Sequence, residues 1–379
     1  MIITFNMIPL TKPFFNRKEI EQVQKVLESG WVAGQGPVSN KFEKKLAKYV
    51  GTKYAITLSN CTAALHLSLL ALGIKSGDEV LVADYTFPAT GHSVMYCGAK
   101  PVFVDINPKT YNIEPSMIEQ KITSKTKAII PVHAFGQPAE MDAINELAEK
   151  HRLKVVEDAA CALGAKYKNK YAGTISDVGC FSFHGRKGIT TGEGGAIVTD
   201  DEELAEKIRK LSVFGMASAW KREKTDKLII PKFTELGYNY KMSDILAAIG
   251  IAQLGKIEKI IKRKRLLARY YTDKLSEIEL IESPFKSNMV THVYQSYVTL
   301  LNKIIDRNKL IERLLKVGIQ TQIGTYASHI QPLYRSKDKC FNSLKVFNRS
   351  LSLPIYYNLN EEQIDFVINN LKNELTKLK

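Results

Sequence analysis

The stretch CFSFHGRKGITTGEGGAIVT (residues 180–199) is apolar at both ends and rich in glycine in between. Its apolar ends predict two buried strands, VGCFSF (178–183) and GAIVT (195–199). Lys187 stands in the connection between them, where the glycines begin. It is therefore either a surface residue of a turn or a functional amine held at the end of a buried strand.

An amine in such a place has a specific chemical use. An apolar setting lowers the pKa of a lysine, and the neutral amine is a nucleophile toward carbonyl groups. One use of this kind of lysine is a Schiff base with pyridoxal phosphate (PLP). A P-loop is excluded, because the chain contains no GxxxxGK(S/T) pattern.

Short apolar runs alternate with helical segments from about residue 50 to residue 215. This alternation predicts a mostly parallel sheet with helices on both faces, in which ligands bind at the carboxyl ends of the strands. The other strand-like runs are YAITLS (54–59), EVLVA (79–83), KPVFVD (100–105), AIIPVHA (128–134) and LKVVED (153–158). The helical segments include TAALHLSLLAL (62–72), AEMDAINELAEKHR (139–152) and DDEELAEKIRKLSVFG (200–215).

The pattern changes after about residue 255. A long basic helix is followed by HVYQSYVTLL (292–301), which alternates like a half-buried strand. The segment RNKLIERLLKVG (307–318) predicts a helix that ends at Gly318, and the last segment (360–378) predicts another amphipathic helix. We therefore expect a large domain with an N-terminal arm over 1–255 and a smaller α+β domain over 256–379.

The pyridine nitrogen of PLP stays protonated only beside a carboxylate. Asp158 ends the strand KVVED, where a parallel sheet presents ligand-binding groups. Glu157 alternates to the other side of the strand, so Asp158 is the better candidate, although either residue could cap the next segment of the chain.

The cofactor's phosphate and ring need further partners. A phosphate needs hydroxyls and free backbone N–H groups at a helix N-terminus, and SNCTAAL (59–65) supplies both near Thr62. An N-terminal Thr of this kind also serves simply as a helix cap. Ser182 adds a hydroxyl from the strand that leads to Lys187, and Tyr85 and Phe87 offer aromatic rings after another strand.

Composition limits the other classes of function. The net charge is +15, which suits nucleic acid or an anionic small molecule, but the basic run KIEKIIKRKRLLARYY (256–271) has the spacing of a solvated helix face and no nucleic-acid-binding signature occurs. No apolar run reaches the roughly 18 residues of a membrane span, and the start of the chain lacks a signal-peptide pattern. The five cysteines form no CxxC pair, and no HExxH or Cys/His cluster has metal spacing. We expect a cytoplasmic protein without a metal.

Longer motifs run through nearly the whole chain. By these motifs the sequence resembles the DegT/DnrJ/StrS-type sugar aminotransferases, which are PLP enzymes. The motifs are SGWVAGQGPVSNKFE (29–43), SNCTAAL, SGDEVLVADYTFPAT (76–90), GAKPVFVDI (98–106), PVHAFGQPAEMDAI (131–144), VVEDAACALGA (155–165), residues 180–201, ELGYNYKMSDILAAIGIAQL (235–254) and LSLPIYYNL (351–359).

The resemblance implies an α/β fold of the aspartate-aminotransferase type (PLP fold type I), with a mostly parallel seven-stranded sheet. It implies that Lys187 bonds to the cofactor and moves the proton between cofactor and substrate, and that Asp158 contacts the pyridinium. It also implies a homodimer with shared active sites. The other implied cofactor contacts are the stacking ring of Phe87, and the phosphate contacts Thr62, the Ala63 N–H, Ser182 and, from the second protomer, Asn239.

Two residues depart from the family's usual pattern. Cys61 replaces a glycine in the phosphate turn, so the turn must accept a Cβ there. Cys161 stands where relatives often have Gln or His near the cofactor's phenolic oxygen, and a thiol is a weak donor. The resemblance thus implies a cofactor contact at Cys161 that is altered in this chain.

The implied reaction is transfer of an amino group from glutamate to a keto group of a nucleotide-linked keto-deoxy sugar. KGITTGEGG (187–195) is similar to the branch that acts at C4, and Tyr326 and His329 stand where relatives contact the sugar. Sugar dehydratases of the family carry His in place of the lysine, and the presence of Lys187 disfavours that reaction. The resemblance also leaves open an aminocyclitol or aromatic amino acid synthase and a non-catalytic PLP-binding regulator.

Overall fold

The alternating apolar runs form strands in the computed structural model, which describes residues 7–216 and 230–378. In chain order the strands are β1 (Tyr54–Leu58), β2 (Glu79–Ala83), β3 (Tyr85–Thr86), β4 (Lys100–Val104), β5 (Thr126–Ile130), β6 (Lys154–Asp158), β7 (Lys166–Tyr167), β8 (Lys170–Tyr171), β9 (Val178–Ser182), β10 (Gly195–Thr199), β11 (Ile281–Glu282), β12 (Val290–Thr291), β13 (Tyr297–Leu301), β14 (Tyr326–Ala327) and β15 (Ser350–Leu353).

Seven of these strands form the main sheet, in the order β1-β10-β9-β6-β5-β2-β4. Strand β10 is antiparallel to both of its neighbours, and the other adjacent pairs are parallel. The predicted mostly parallel seven-stranded sheet is therefore confirmed. Strand β10, which follows the Lys187 loop, is therefore the antiparallel strand of this sheet.

Helices connect the strands and cover them. They are α1 (Arg17–Ser29), α2 (Pro37–Val50), α3 (Cys61–Ala71), α4 (Ala89–Tyr96), α5 (Met141–His151), α6 (Glu202–Ser212), α7 (Asp244–Leu254), α8 (Ile257–Leu275), α9 (Arg307–Lys316), α10 (Phe341–Arg349) and α11 (Glu361–Leu378). Several begin where a polar side chain accepts a hydrogen bond from the first turn, as Asn60 does for α3 and Asp201 for α6.

Both faces of the main sheet are buried. Along β10, Ile197 packs into a core with α3 and α6, whereas Ala196 and Val198 pack on the opposite face with α2 and α7. Successive side chains of a strand point to opposite faces, so a strand covered on both sides is apolar throughout. This explains why GAIVT is a continuous apolar run.

A three-stranded antiparallel sheet, β11-β13-β15, holds the second core together with α8, α9 and α11. The strand predicted over 292–301 is shorter than expected, since only β13 is extended, and all five of its residues are buried. Tyr297 and Leu301 pack into the second core, and Val298 and Leu300 face another apolar cluster, so the prediction of a half-buried strand was wrong.

The N-terminal segment belongs to this second core. Ile8 is fully buried there and its N–H donates to the carbonyl of Gly318, 2.7 Å away. Helix α9 ends at Lys316, two residues before the predicted end, and Gly318 has a φ of 81° that favours glycine. The division of the chain at residue 255 remains a proposal. Among residues 7–216 and 230–378, no helix has both the length and the apolar character needed to cross a bilayer.

Candidate active site

A cleft of about 880 Å³ lies at the carboxyl ends of the parallel strands. Its wall includes the loop after β9, the start of α3 and the segment after β2. Residues 295–296 and 322–325, from the C-terminal third of the chain, close the other side. Ligands of open parallel sheets bind at this edge, so the cleft is where the fold places chemistry.

The Lys187 side chain lies in this cleft with its Nζ 3.2 Å from the Cys161 Sγ. The loop is fixed by its own backbone: the Lys187 N–H donates to the His184 carbonyl at 2.9 Å, and the Thr191 N–H donates to Phe183. Burial by itself lowers the pKa of Lys187, but the neighbouring Cys161 and Asp158 outweigh it and the net shift is upward. The expectation of a lowered pKa for Lys187 was therefore wrong.

The two carboxylates at the end of β6 have different surroundings. Asp158 lines the cleft, is 5% exposed, and accepts hydrogen bonds from the Thr90 Oγ1 (2.8 Å) and the Ala160 N–H (3.1 Å). Glu157 points to the other face, where it pairs with the His133 Nε2 at 2.9 Å and accepts three backbone N–H groups, of Gly173, Ile175 and Ser176. Only Asp158 is available to a ligand, as the alternation along the strand predicts.

The predicted phosphate turn forms the first turn of α3. Thr62 and Ser182 both line the cleft, next to Asn60 and Cys61. The Ala63 N–H is not free, because it donates to the Asn60 Oδ1 at 2.8 Å. In this conformation the Asn60 side chain caps the helix by accepting from the Ala63 N–H, and a phosphate contact through that N–H requires the Asn60 side chain to move.

Gly195 at the start of β10 was missed from the sequence. A Cβ at this position would lie 2.4 Å from the Asn60 carbonyl carbon and 2.6 Å from the Cys61 N. The absence of a side chain thus allows the phosphate turn to lie against the sheet. A glycine at the first position of a strand was the available signal.

Phe87 lines the cleft and is 64% exposed, so its ring is accessible to a ligand. Tyr326 meets the edge of this ring, with centroids 6.2 Å apart, but is not among the described residues that line the cleft. His329 is likewise not among the described residues that line the cleft. Its Nδ1 lies 2.7 Å from the Asp84 Oδ2. The hydrogen bond with Asp84 raises the pKa of His329.

One group of residues with metal-ligating atoms does occur. Asp84, His329 and Cys340 have potential ligand atoms within 4.8 Å of one another. The Asp84 carboxylate is already hydrogen-bonded to the His329 ring and to the Ser343 hydroxyl. These contacts hold the segment after β14 against the end of β2.

Asn239 is exposed and is not among the described residues that line the cleft of its own chain. Its Oδ1 accepts a hydrogen bond from the Lys241 Nζ. The neighbouring Tyr240 does line the cleft. The predicted contact of Asn239 with a second protomer's cofactor remains a prediction.

The chemical groups that border the cleft match those that PLP needs. An amine, a buried carboxylate, two hydroxyls, a helix N-terminus and an accessible aromatic ring border one cleft. Gly195 leaves room for the turn that would hold the phosphate. These are the groups that PLP needs for its aldehyde, ring nitrogen, phosphate and ring face.

Comparison with known proteins agrees with this geometry. The model of the DegT/DnrJ/EryC1/StrS aminotransferase family matches residues 14–372. The chain is 43% identical to the protein MJ1066 of Methanocaldococcus jannaschii over 380 residues, covering 98% of each. It is 40% identical to the GDP-perosamine synthase of Escherichia coli O157:H7, covering 95% of this chain and 96% of that one. The solved structure of Spr1654 from Streptococcus pneumoniae in its PLP form superimposes with a TM-score of 0.92 at 29% identity, covering 98% of this chain and 100% of that one.

Proposed function

This chain belongs to the DegT/DnrJ/EryC1/StrS aminotransferase family, and on that premise we propose that it is a PLP-dependent nucleotide-sugar aminotransferase. The amino donor is glutamate, and the acceptor is a keto group, at C4, of a nucleotide-linked keto-deoxy sugar. The observation that carries the proposal is the cleft in which Lys187 lies with Asp158 and the N-terminus of α3. A sugar dehydratase activity is disfavoured by Lys187 itself.

Each residue has a distinct task in this proposal. Lys187 holds the cofactor and moves a proton at the substrate carbon, for which its amine must first lose the charge that Cys161 and Asp158 favour. Asp158 keeps the ring nitrogen protonated, since Thr90 and Ala160 fix its carboxylate beside the cleft. Bound PLP supplies the electron sink for the reaction. The remaining contacts are phosphate binding by Thr62, Ala63 and Ser182 and ring stacking by Phe87.

The overall reaction exchanges two groups. The amino acid gives up its amino group and, with the oxygen of one water molecule, becomes a 2-oxo acid. The keto sugar takes the amino group and releases its carbonyl oxygen as water, so no net water is consumed. Similarity to a GDP-perosamine synthase supports a nucleotide-linked acceptor. The net charge of +15 favours a substrate with a diphosphate.

The proposal extends to the assembly and its location. Asn239 acts in a homodimer by reaching the phosphate of the partner's cofactor, in keeping with its exposed position beside Tyr240. Tyr326 and His329 approach the sugar from the rim. The five cysteines form no CxxC pair, and this spacing supports a cytoplasmic location.

The test begins with the purified protein and PLP. Wild type should develop a visible absorption band, and reduction with borohydride should fix the cofactor to the peptide that contains Lys187, as mass spectrometry can show. Lys187→Ala should stay folded and retain PLP without a covalent bond, and it should not turn over. Lys170→Ala, at the exposed lysine that begins β8, serves as the control and should behave as wild type.

Incubation of wild type with glutamate and a panel of nucleotide-linked 4-keto sugars, followed by mass spectrometry and NMR, should identify an amino sugar. A reconstituted protein that binds no PLP, or an alanine variant that turns over without added amines, would contradict the proposal.

A further inference from the structure

Arg186, which precedes Lys187 in the chain, lines the cleft, is exposed to solvent, and has no role in the proposed chemistry so far. Its Nη1 donates to the Gln322 Oε1 at 3.0 Å, and its carbonyl accepts a hydrogen bond from the Gln295 Nε2 at 2.8 Å. Gln322 and Gln295 both come from the C-terminal third of the chain. The peptide and the guanidinium of Arg186 are thus both positioned by the far wall of the cleft.

The charges in the cleft leave this guanidinium without a counter-ion. Among the described residues that line the cleft, Lys187 and Arg186 are the only lysine and arginine. Of the two carboxylates there, Asp158 is bonded to Thr90 and Ala160, and Glu193 lies 3.8 Å from the His184 ring. Within the described part of the chain, no carboxylate pairs with Arg186, and only one of its five N–H donors has a partner.

We propose that Arg186 binds the α-carboxylate of the amino donor. This inference rests on the proposed function. There the Lys187 amine bonds to the cofactor and cannot serve as a fixed positive charge for a carboxylate. The planar guanidinium matches a carboxylate with two parallel hydrogen bonds, and Gln322 fixes its orientation.

The position next to Lys187 favours the donor over the sugar nucleotide. In an amino acid the carboxylate carbon is only two bonds from the amino nitrogen that must reach the reacting atom. The residue that binds it must therefore lie in the same cleft as the catalytic amine, and Arg186 lines that cleft from the loop that carries Lys187. The diphosphate of a sugar nucleotide is several bonds further from the keto carbon and can be bound near the rim.

The experiment separates the two halves of the reaction. PLP-loaded Arg186→Gln, Arg186→Lys and wild type are mixed with L-glutamate, and the loss of the visible band is followed by stopped flow. A charge-assisted hydrogen bond contributes about 1.5–3 kcal/mol, so kcat/KM for glutamate should fall about 10- to 100-fold in R186Q. R186K should recover part of this loss, because lysine keeps the positive charge but lacks the two parallel N–H donors of the guanidinium. Arg17→Gln, at an exposed arginine of α1, is the control and should match wild type.

Three further measurements identify the anion. An alkylamine without a carboxylate, 2-aminobutane, should react equally with wild type and R186Q. Glutarate, which has carboxylates but no amine, should bind more weakly to R186Q in calorimetry. The reaction of the amine-loaded enzyme with the nucleotide keto sugar should be unchanged in R186Q.

The outcomes are distinguishable. Wild type that reacts with no amino acid overturns the proposed function and this inference with it. Wild type that reacts, with R186Q equal to it toward glutamate and glutarate, overturns the inference alone. A loss confined to the keto-sugar half also overturns it and assigns Arg186 to the diphosphate. Circular dichroism of both Arg186 variants shows whether they fold, and R186K carries the test if R186Q does not.

Discussion

At the scale of single residues, the contact between Cys161 and Lys187 bears most directly on the proposed chemistry. The Sγ lies 3.2 Å from the amine, and the thiol is the largest of the neighbours that raise the pKa of Lys187. A Gln in this place could donate to a ligand, whereas the thiol is a weak donor. The Cys161 sulfur accepts a hydrogen bond from the Lys187 amine and thereby favours the charged form of the lysine.

Replacement of Cys161 should change the pH at which the protein binds PLP covalently. In Cys161→Ala, the interaction that favours the charged amine is removed, so the pKa of Lys187 falls and the neutral amine is present at lower pH. The pH midpoint for covalent loading of the apoprotein with PLP should shift downward. Cys97→Ala, which removes a buried thiol outside the described lining of the cleft, is the matched control. An upward shift or an unchanged midpoint in C161A would contradict this explanation.

Asp158 provides the second prediction at this scale. Asp158→Asn should lower turnover by roughly 10²-fold or more, the scale of removing one preorganised electrostatic contact. PLP occupancy should fall much less, because the phosphate contacts remain. Turnover is measured as amino sugar formed, and occupancy as PLP released on denaturation.

Thr90 allows a graded version of the same test. Thr90→Val removes the hydroxyl that donates to Asp158 and should lower turnover about tenfold, and Thr90→Ser should restore it. Near-normal turnover in D158N would assign the pyridinium contact to another group.

At the scale of elements, the basic helix α8 has the predicted solvated face, where Lys259, Lys262, Arg265 and Arg269 are exposed, but one of its lysines is buried. Lys264 is 6% exposed, and its Nζ donates to the Gln295 carbonyl at 2.8 Å. Burial lowers its pKa from 10.5 to about 7. Lys256, at the start of the same helix, is also buried but forms an ion pair with Glu19.

The lowered pKa predicts how stability depends on pH. Between pH 7 and 10.5 the unfolded chain binds more protons at Lys264 than the folded chain, so this residue makes stability rise with pH over that range. Below pH 7 the folded protein holds a buried charge at full cost. Lys264→Met should therefore raise the melting temperature at pH 6 and raise it less at pH 9.

Lys256→Met is the matched control on the same helix. It leaves the buried Glu19 without its partner and should lower the melting temperature at both pH values. A Lys264→Met variant that is less stable at pH 6 than at pH 9, each relative to wild type, would show that the amine is charged and compensated in the fold.

At the scale of the whole molecule, the cleft is built by distant parts of the chain. Strands β6 and β9 supply Asp158 and Ser182, and residues 295–296 and 322–325 form the opposite wall. In the proposed homodimer, a second chain completes the site through Asn239. A two-fold dimer then contains two identical sites across one interface.

Mixing of two inactive variants tests this arrangement. Lys187→Ala and Asn239→Ala protomers, each inactive alone, should regain activity when unfolded and refolded together, because both changes fall in one site of the hybrid and the other site is intact. Random mixing gives about half hybrids with one intact site each, so activity should approach about a quarter of wild type. Native mass spectrometry confirms that hybrids form. Hybrids without activity would place Asn239 in the site of its own chain.

Features that depend on local periodicity could be predicted from the sequence alone. Continuous apolar runs identified the seven strands of the main sheet, because strands buried on both faces are mostly apolar. The rule that ligands bind at the carboxyl ends of parallel strands then placed Lys187, Asp158, Ser182 and Thr62 at one edge. Alternation along β6 also distinguished Asp158 from Glu157, and the long motifs identified the family.

Contacts between residues far apart in the chain required the tertiary structure. Gln322 meets Arg186 across 136 positions, and Cys161 meets Lys187 across 26. Such contacts depend on how helices and loops pack, and no local pattern encodes them. The same reason explains the burial of Lys264, whose amine meets the carbonyl of the distant Gln295 although most other basic residues of its helix are exposed. The upward shift of the Lys187 pKa likewise depends on Cys161 and Asp158, which only the tertiary structure brings near the amine.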